Sequence, residues 1–334
     1  MRANRFHFLS KPRSVMRTAD RYGLAGAQAY SIEELKPVQT KDYSNLTARP
    51  YVFETDFDVL QWASAMMTKS PLGLALLNEA QETGWKIALS DLDTGGYHLD
   101  IIDKIIELDG VSLAPEVLGQ SSSHKSAILQ VLVKALRDVW HEERWGAFEE
   151  NYKPEAVLML ERGRAADTDI VAIFMAWELR SQGYNDIWRT ILGSEDGDIA
   201  RVLVNILERY PTALYNGMAL AHMFRQWYAD EQRVDALDHS SLQQMDFILE
   251  ENDMEFGDRT ALSKEYELLS CLPDGMVYLN DLGDTVAKDP FFNGLNDPVN
   301  QRHLFQIVYD TKVTYVQGIP FRDAKLARKF LRAD

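Results

Sequence analysis

Ile128-Leu-Gln-Val-Leu-Val-Lys134-Ala-Leu-Arg-Asp138-Val-Trp-His141-Glu-Glu-Arg-Trp145 decides how this chain is read. At 100° per residue, Ile128, Leu132, Ala135, Leu136 and Val139 fall on one broad apolar face, so the stretch is expected to be a strong helix against a core. Lys134, Asp138, His141 and Trp145 run in a column on the opposite side. An ordinary surface helix also puts polar groups there. The sharper reading is that the column lines a cleft, because two ligands one turn apart on a helix is how zinc peptidases hold their metal.

Working outward, the residues before this helix supply the β structure. Trp85-Lys-Ile-Ala-Leu-Ser90 alternates like a short strand, Asp93-Thr-Gly-Gly96 is turn material, and Tyr97-His-Leu-Asp-Ile-Ile is expected to return as its hairpin partner. Asp56 to Thr83 reads as two helices divided near Ser70-Pro71. After the helix the chain is mainly helical. Pro154 suits the first turn of a long helix reaching about Gln182, with Gly183 as its stop. Ser194-Glu-Asp-Gly-Asp198 resembles a helix start whose acids suit the positive end of the dipole, and that helix runs to Arg209-Tyr-Pro211. Helices over 213–230 and 240–250 follow. Beyond about Gly257 the pattern weakens, and a basic final helix is expected to close near Arg332. The expected division is a loosely ordered tail over 1–55, a helical domain over 56–250 and a C-terminal extension over 251–334 packed on the core.

A chain of 334 residues, 46% hydrophobic, can bury a sizeable core. Its net charge of -16 argues against nucleic acid and anionic membranes as partners. Residues 1–21 are the exception: six basic side chains stand against Asp20 alone, a local +5. Such a segment fits a transit peptide, or a flexible tail folding back on the acidic body. Without a long apolar run there is no expected membrane span. Cys271 is the one cysteine, which excludes an internal disulfide and points to the reducing cytoplasm.

Two helices carry the candidate chemistry. His141-Glu142-Glu-Arg-Trp145 has the form HExxW, in which a Glu beside a first His could activate a metal-bound water. On the Pro154–Gln182 helix, Arg164, Asp167, Val171 and Glu178 share one side of an otherwise apolar segment. A buried carboxylate there must find a cation, either Arg164 one turn away or a metal or substrate group. Glu178 suits a structural ion pair. Asp238-His239 offers a second ligand, although His239-Ser240-Ser241 also suits a helix entry, and His222 in its apolar run suits a hydrogen-bonded core role.

Ala135-Leu-Arg137-Asp-Val-Trp-His-Glu-Glu-Arg144, Pro154-Glu, Glu161-Arg-Gly-Arg-Ala-Ala-Asp-Thr-Asp169 and Ala176-Trp-Glu-Leu-Arg180 together resemble a bacterial domain family of unknown function labelled "putative metallopeptidase", over roughly residues 70–250. Gln226-Trp-Tyr and Arg233-Val-Asp…Asp238-His continue the likeness. The resemblance implies a zincin-like layout: a small sheet, a helix bearing HExxH, then a helix with an acidic third ligand. The expected fold is therefore mainly α, a zincin-like helical core with a small β-hairpin or sheet. One register of HExxH places Lys134, Ala135 and Asp138 where His, Glu and His would stand; the other keeps His141 and Glu142 but puts Trp145 at the second His. Three readings follow. Asp138, His141 and Asp167 could ligate zinc or another divalent metal with Glu142 as base. Alternatively, the metal is lost, its charge replaced by Lys134 in an ion pair with Asp138, and the cleft, lined also by Arg137, Trp145, Arg164 and Glu178, binds a peptide or protein. The third is a purely structural or regulatory helical module.

Overall fold

Thr55 opens the first long helix of the computed structural model with a reciprocal cap: its Oγ1 accepts from the Asp58 backbone N–H, and the Asp58 carboxylate accepts from the Thr55 N–H. The structure describes residues 14–16, 27–36, 53–92, 95–110, 113–252, 256–308, 315–316 and 319–320. Along these run β1 (Ser14–Met16), β2 (Tyr30–Ser31), α1 (Ile32–Leu35), α2 (Asp56–Met67), α3 (Pro71–Glu82), β3 (Lys86–Ser90), β4 (Tyr97–Asp100) and β5 (Ile105–Asp109). Then come α4 (Pro115–Gln120), α5 (Ser122–Trp145), α6 (Pro154–Ser181), α7 (Asn185–Leu192), α8 (Gly197–Arg209) and a short 3-10 turn at Pro211–Leu214. They are followed by α9 (Met218–Trp227), α10 (Glu231–Asn252), α11 (Ser263–Leu269), α12 (Gly283–Lys288), α13 (Pro290–Asn293), α14 (Pro298–Val308), β6 (Tyr315–Val316) and β7 (Ile319–Pro320). The protein is mainly helical with a small mixed sheet, as the periodicity implies.

The division of α2 from α3 at Ser70-Pro71 and the span of α6 follow the sequence signals closely. Gly183 ends α6 at φ +93°, a backbone angle that costs a side chain but not glycine. The strand pairing does not follow them. The expected hairpin of β3 with β4 is not formed: β3 pairs in parallel with β5, Ile87 beside Ile106 and Leu89 beside Leu108, and β4 pairs antiparallel with β5. β5, absent from the sequence reading, therefore stands between them in the order β1-β4-β5-β3-β2. The reason lies in the turns. Residues 101–104 reverse the chain tightly, with Lys104 at φ +52°, so the nearest antiparallel partner of β4 is the strand that follows it. Ile87, Leu99, Ile106 and Leu108 are all fully buried, which fixes the register because a one-residue slip would turn them to the other face.

Helix α10 begins at Glu231, so His239-Ser240-Ser241 lies inside a helix rather than at its entry. Helix α7 was not anticipated, nor were the short helices α11 to α14 beyond Gly257. Of the expected tail over 1–55 the structure describes only 14–16, 27–36 and 53–55, and within it Ile32 and Leu35 are buried rather than loose. The expected basic helix near Arg332 lies outside the described residues.

The chain forms two units, each discontinuous in sequence. The first comprises Met1–Arg144 and Thr168–Val204; the second comprises Trp145–Asp167 and Asn205–Asp334. The first contains the five-stranded sheet, α2, α3 and nearly all of α5. In the second, Phe148, Tyr152, Val157, Leu160, Leu242, Met245, Leu269, Leu304 and Ile307 form a buried cluster. Beside it the second unit carries a buried ion pair, Arg162 with Asp238, joined by Asn300.

Candidate functional site

Helix α5 buries Asp138 and His141 of its polar column as well as its apolar face. Asp138 is fully buried and His141 is 1% exposed, while Ile128, Leu132, Ala135, Leu136 and Val139 are buried on the other side. A helix covered nearly all round belongs to an interior, not to a surface. The solvated-helix reading of the column is therefore overturned at these two residues. Arg137 is also fully buried, its guanidinium 5.6 Å from the Trp140 ring.

Burying the Asp138 carboxylate demands donors. Two hydroxyls supply them within the first unit. Thr168, on α6, donates its Oγ1–H to Oδ1 at 2.9 Å. Tyr97, at the first position of β4, donates its phenolic O–H to Oδ2. Both carboxylate oxygens are thereby engaged by neutral donors. The end of α5 is tied down in a similar way: Glu143 accepts from the Trp85 indole N–H and from the Lys104 ammonium, each at 2.8 Å.

Lys134, one turn before Asp138, does not pair with it. Its Nζ lies 2.7 Å from Asp169 Oδ1 on α6 and 3.4 Å from Asp196 Oδ2 just ahead of α8. Its side chain is 21% exposed. Burial works against the charge, but the two aspartates outweigh it and hold the ammonium's pKa well above the ordinary lysine range. Lys134 is therefore a cation at neutral pH, set between carboxylates from two separate segments.

The remaining candidates are distributed over both units. Asp167 is 1% exposed and accepts from the Tyr278 hydroxyl at 2.8 Å. Arg164, equally buried, sits with its guanidinium 5.7 Å from the Phe148 ring. Glu178 accepts from the Ser70 hydroxyl and from the Leu72 backbone N–H, so it caps the start of α3. Glu142 is half-buried, and Trp145 packs its ring 6.3 Å from Phe148. His222 is exposed on α9, which corrects the core role expected of it. Its apolar neighbours Met223 and Phe224 turn to the core, and the helical period carries position 222 outward. Asp238 is gripped by Arg162 through Nε at 2.6 Å and through Nη2, which commits it to an ion pair.

These positions do not fit a bound metal ion. Among the described residues no group of three or more His, Cys, Asp or Glu side chains is placed to hold one. The donors present explain this: hydroxyl protons face the Asp138 oxygens, and an ammonium faces Asp169 and Asp196. A metal would have to share these carboxylates with those donors.

The partners that complete these arrangements were mostly invisible in the sequence. Tyr97 and Tyr278 lie 41 and 111 positions from the aspartates they serve, and neither belongs to a local motif. Asp169 and Asp196 did carry a signal, since each is an acidic residue beside an apolar run, but the signal named no partner.

Fold and site thus define a mainly helical protein with a small mixed sheet, whose central helix carries a buried carboxylate satisfied by hydroxyls and a lysine clasped by two aspartates. Residues 117–279 match the family model described as "Putative metallopeptidase family (DUF6782)", so this segment is similar to that family. The match begins within α4, later than the resemblance read from the sequence, and ends beyond it. No curated protein and no solved structure was found to match the chain. The family's name points to a metal without specifying which.

Proposed function

We propose that this is a metallopeptidase-related protein with a degenerate metal site, which has given up hydrolysis and serves as a helical binding or regulatory module. The observation that carries this reading is the setting of Asp138: it is fully buried, with Thr168 and Tyr97 donating to its two oxygens. A carboxylate held in this way is stabilised in its buried position by two hydroxyl donors and needs no metal there. In the HExxH register that the family resemblance suggests, the first His is Lys134, the Glu is Ala135 and the second His is Asp138. Neither an ammonium nor a methyl group can perform those roles. The other register keeps His141 and the half-buried Glu142, but Trp145 cannot ligate.

The partner we propose is a peptide or another protein, since the net charge of -16 opposes nucleic acid and anionic membranes. No helix among the described residues is long and apolar enough to cross a membrane. The single cysteine supports a reducing cytoplasm as the compartment.

The test is metal content by mass spectrometry on untagged protein purified without chelators, alongside His141→Ala, with casein hydrolysis assayed in added zinc. The expected result is a metal-free wild type that takes up no zinc, cleaves nothing and matches the variant. Near-stoichiometric metal in the wild type that disappears in His141→Ala would overturn the reading and restore Glu142 as a candidate base.

A further inference from the structure

The chain is strongly acidic, with a net charge of -16, yet one stretch of the second unit presents cations and aromatic rings to solvent. We infer that the surface from Arg209 to Ala229, with Phe291 beside it, docks an acidic segment of a partner protein. This adds a surface and a partner chemistry to the binding-module reading above, and rests on that reading only in taking the partner to be a peptide or protein.

Three observations carry the inference. First, the chain has 51 acidic residues, but none stands between Glu208 and Asp230. Arg209 and Arg225 are both exposed there, and among the described residues neither enters an ion pair. Their forked N–H donors therefore remain open to a partner's carboxylates. Second, Tyr215 is 86% exposed, Tyr210 56% and Phe291 40%. The Arg225 guanidinium lies 5.5 Å from the Phe291 ring, so a cation and an apolar face are offered together. His222, exposed three positions before Arg225 on α9, continues the same helix face. Tyrosine and arginine carry much of the binding energy at protein interfaces, and tyrosine brings a large contact area with few torsions to freeze. Third, the tyrosines stand on a rigid turn. The Tyr210 N–H donates to the Ile206 carbonyl at 2.8 Å, the Ala213 N–H to the Tyr210 carbonyl at 2.9 Å, and the Tyr215 N–H to the Thr212 carbonyl at 3.0 Å. Ala213 is fully buried, and Asn216 Oδ1 accepts from the Met218 N–H at 3.1 Å where α9 begins. Gly217, at φ +75°, lets the backbone approach Tyr278, whose Cα would lie 2.8 Å from a Cβ at that position. A turn fixed in this way has little entropy left to lose when a partner binds.

Charge selects the partner. Asp289, two positions before Phe291, is committed to capping α13, where its carboxylate accepts from the Phe291 N–H at 3.0 Å. At about 0.15 M salt the Debye length is about 8 Å, so distant acids are screened while pairs in contact persist. A short acidic peptide with apolar side chains meets both the guanidinium groups and the rings. A nucleic acid carries its charge along its whole length and meets the repulsive field of the protein over a larger area.

The experiment titrates the full chain into two fluorescein-labelled peptides at about 0.15 M NaCl, with anisotropy as the readout. One peptide is three repeats of Gly-Glu-Phe-Glu; the other is its neutral counterpart, three repeats of Gly-Gln-Phe-Gln. The wild type is expected to bind the acidic peptide with a Kd below about 1 mM and about tenfold tighter than the neutral one. Tyr215→Ser and Arg225→Ser should each weaken that binding about fivefold or more. Both variants should melt within about 2 °C of wild type, because exposed side chains contribute little to folding. Arg180→Ser is the control for loss of a surface cation elsewhere: Arg180 is exposed in the first unit, its guanidinium 4.4 Å from the Trp177 ring, and its removal should leave binding unchanged. Absence of saturable binding up to about 1 mM would overturn the inference. So would equal affinity for the neutral peptide, or a loss in Arg180→Ser as large as in Arg225→Ser. A labelled oligothymidylate that binds tighter than the acidic peptide, and loses affinity in Arg225→Ser, would overturn it in favour of single-stranded nucleic acid. Metal content does not enter this readout, so the degenerate-site reading stands or falls separately.

Discussion

Replacing Arg162 by Met should destabilise the second unit by about 3–5 kcal/mol, the cost of breaking a buried ion pair from one side. Arg162 reaches Asp238 through Nε at 2.6 Å and through Nη2, and its Nη1 donates to the Phe292 carbonyl at 3.0 Å. Both side chains are buried, at 4% and 7% exposure, so water cannot take over. Each charge-assisted bond contributes about 1.5–3 kcal/mol net and the carbonyl bond about 1 kcal/mol. The variant leaves Asp238 with the Asn300 side-chain N–H, at 2.6 Å, as its remaining donor. Gly294 sharpens the case: a Cβ there would lie 2.1 Å from the guanidinium carbon, so the strand of chain around it is fitted to this arginine. The assay is urea unfolding of wild type, Arg162→Met, Asp238→Leu and the double variant. The double variant should recover at least half of the loss, because an apolar pair leaves no orphaned charge. In a thermal melt the single variant should fall by roughly 6–20 °C. A loss under about 1 kcal/mol, or strictly additive effects in the cycle, would refute the argument.

Two further predictions concern the first unit. Ser70→Ala should cost about 1–2 kcal/mol, because its hydroxyl accepts from Gly73 N at 2.9 Å at the start of α3 while donating to Glu178; urea unfolding within a few tenths of wild type would contradict it. Glu107 is half-buried on β5, and burial pushes its pKa up, against the lowering influence of His98 and the Ser90 hydroxyl. The folded state therefore holds this proton more tightly than the unfolded chain. Between the ordinary glutamate pKa of about 4.3 and the raised folded value, stability falls as pH rises. Glu107→Gln should remove that component, gaining stability relative to wild type at neutral pH but not at about pH 4; melts at both pH values check the sign, and an equal effect at the two would exclude it.

Most of the helical framework was legible in the residues. Apolar spacing gave α5, Ser70-Pro71 split α2 from α3, and Pro154 with Gly183 bounded α6, because these signals act within a few residues of where they stand. Acidity, one cysteine and the motif strings also lay in the sequence, as did the family now matched over 117–279. Pairing of strands was not legible. β3 and β4 carry ordinary strand patterns, and only the intervening position of β5 decides that they never meet.

The same division governs the candidate site. Sequence alone determined that Lys134, Asp138 and His141 share a column on one helix, since helical period requires it. Tertiary structure decided that Asp138 would be buried under hydroxyls from Tyr97 and Thr168, and that Lys134 would bypass it for Asp169 and Asp196. A residue's chemistry is local, but which donor reaches a buried carboxylate depends on segments brought together from 30 to 111 positions away. Folding sets those distances, and no periodicity encodes them.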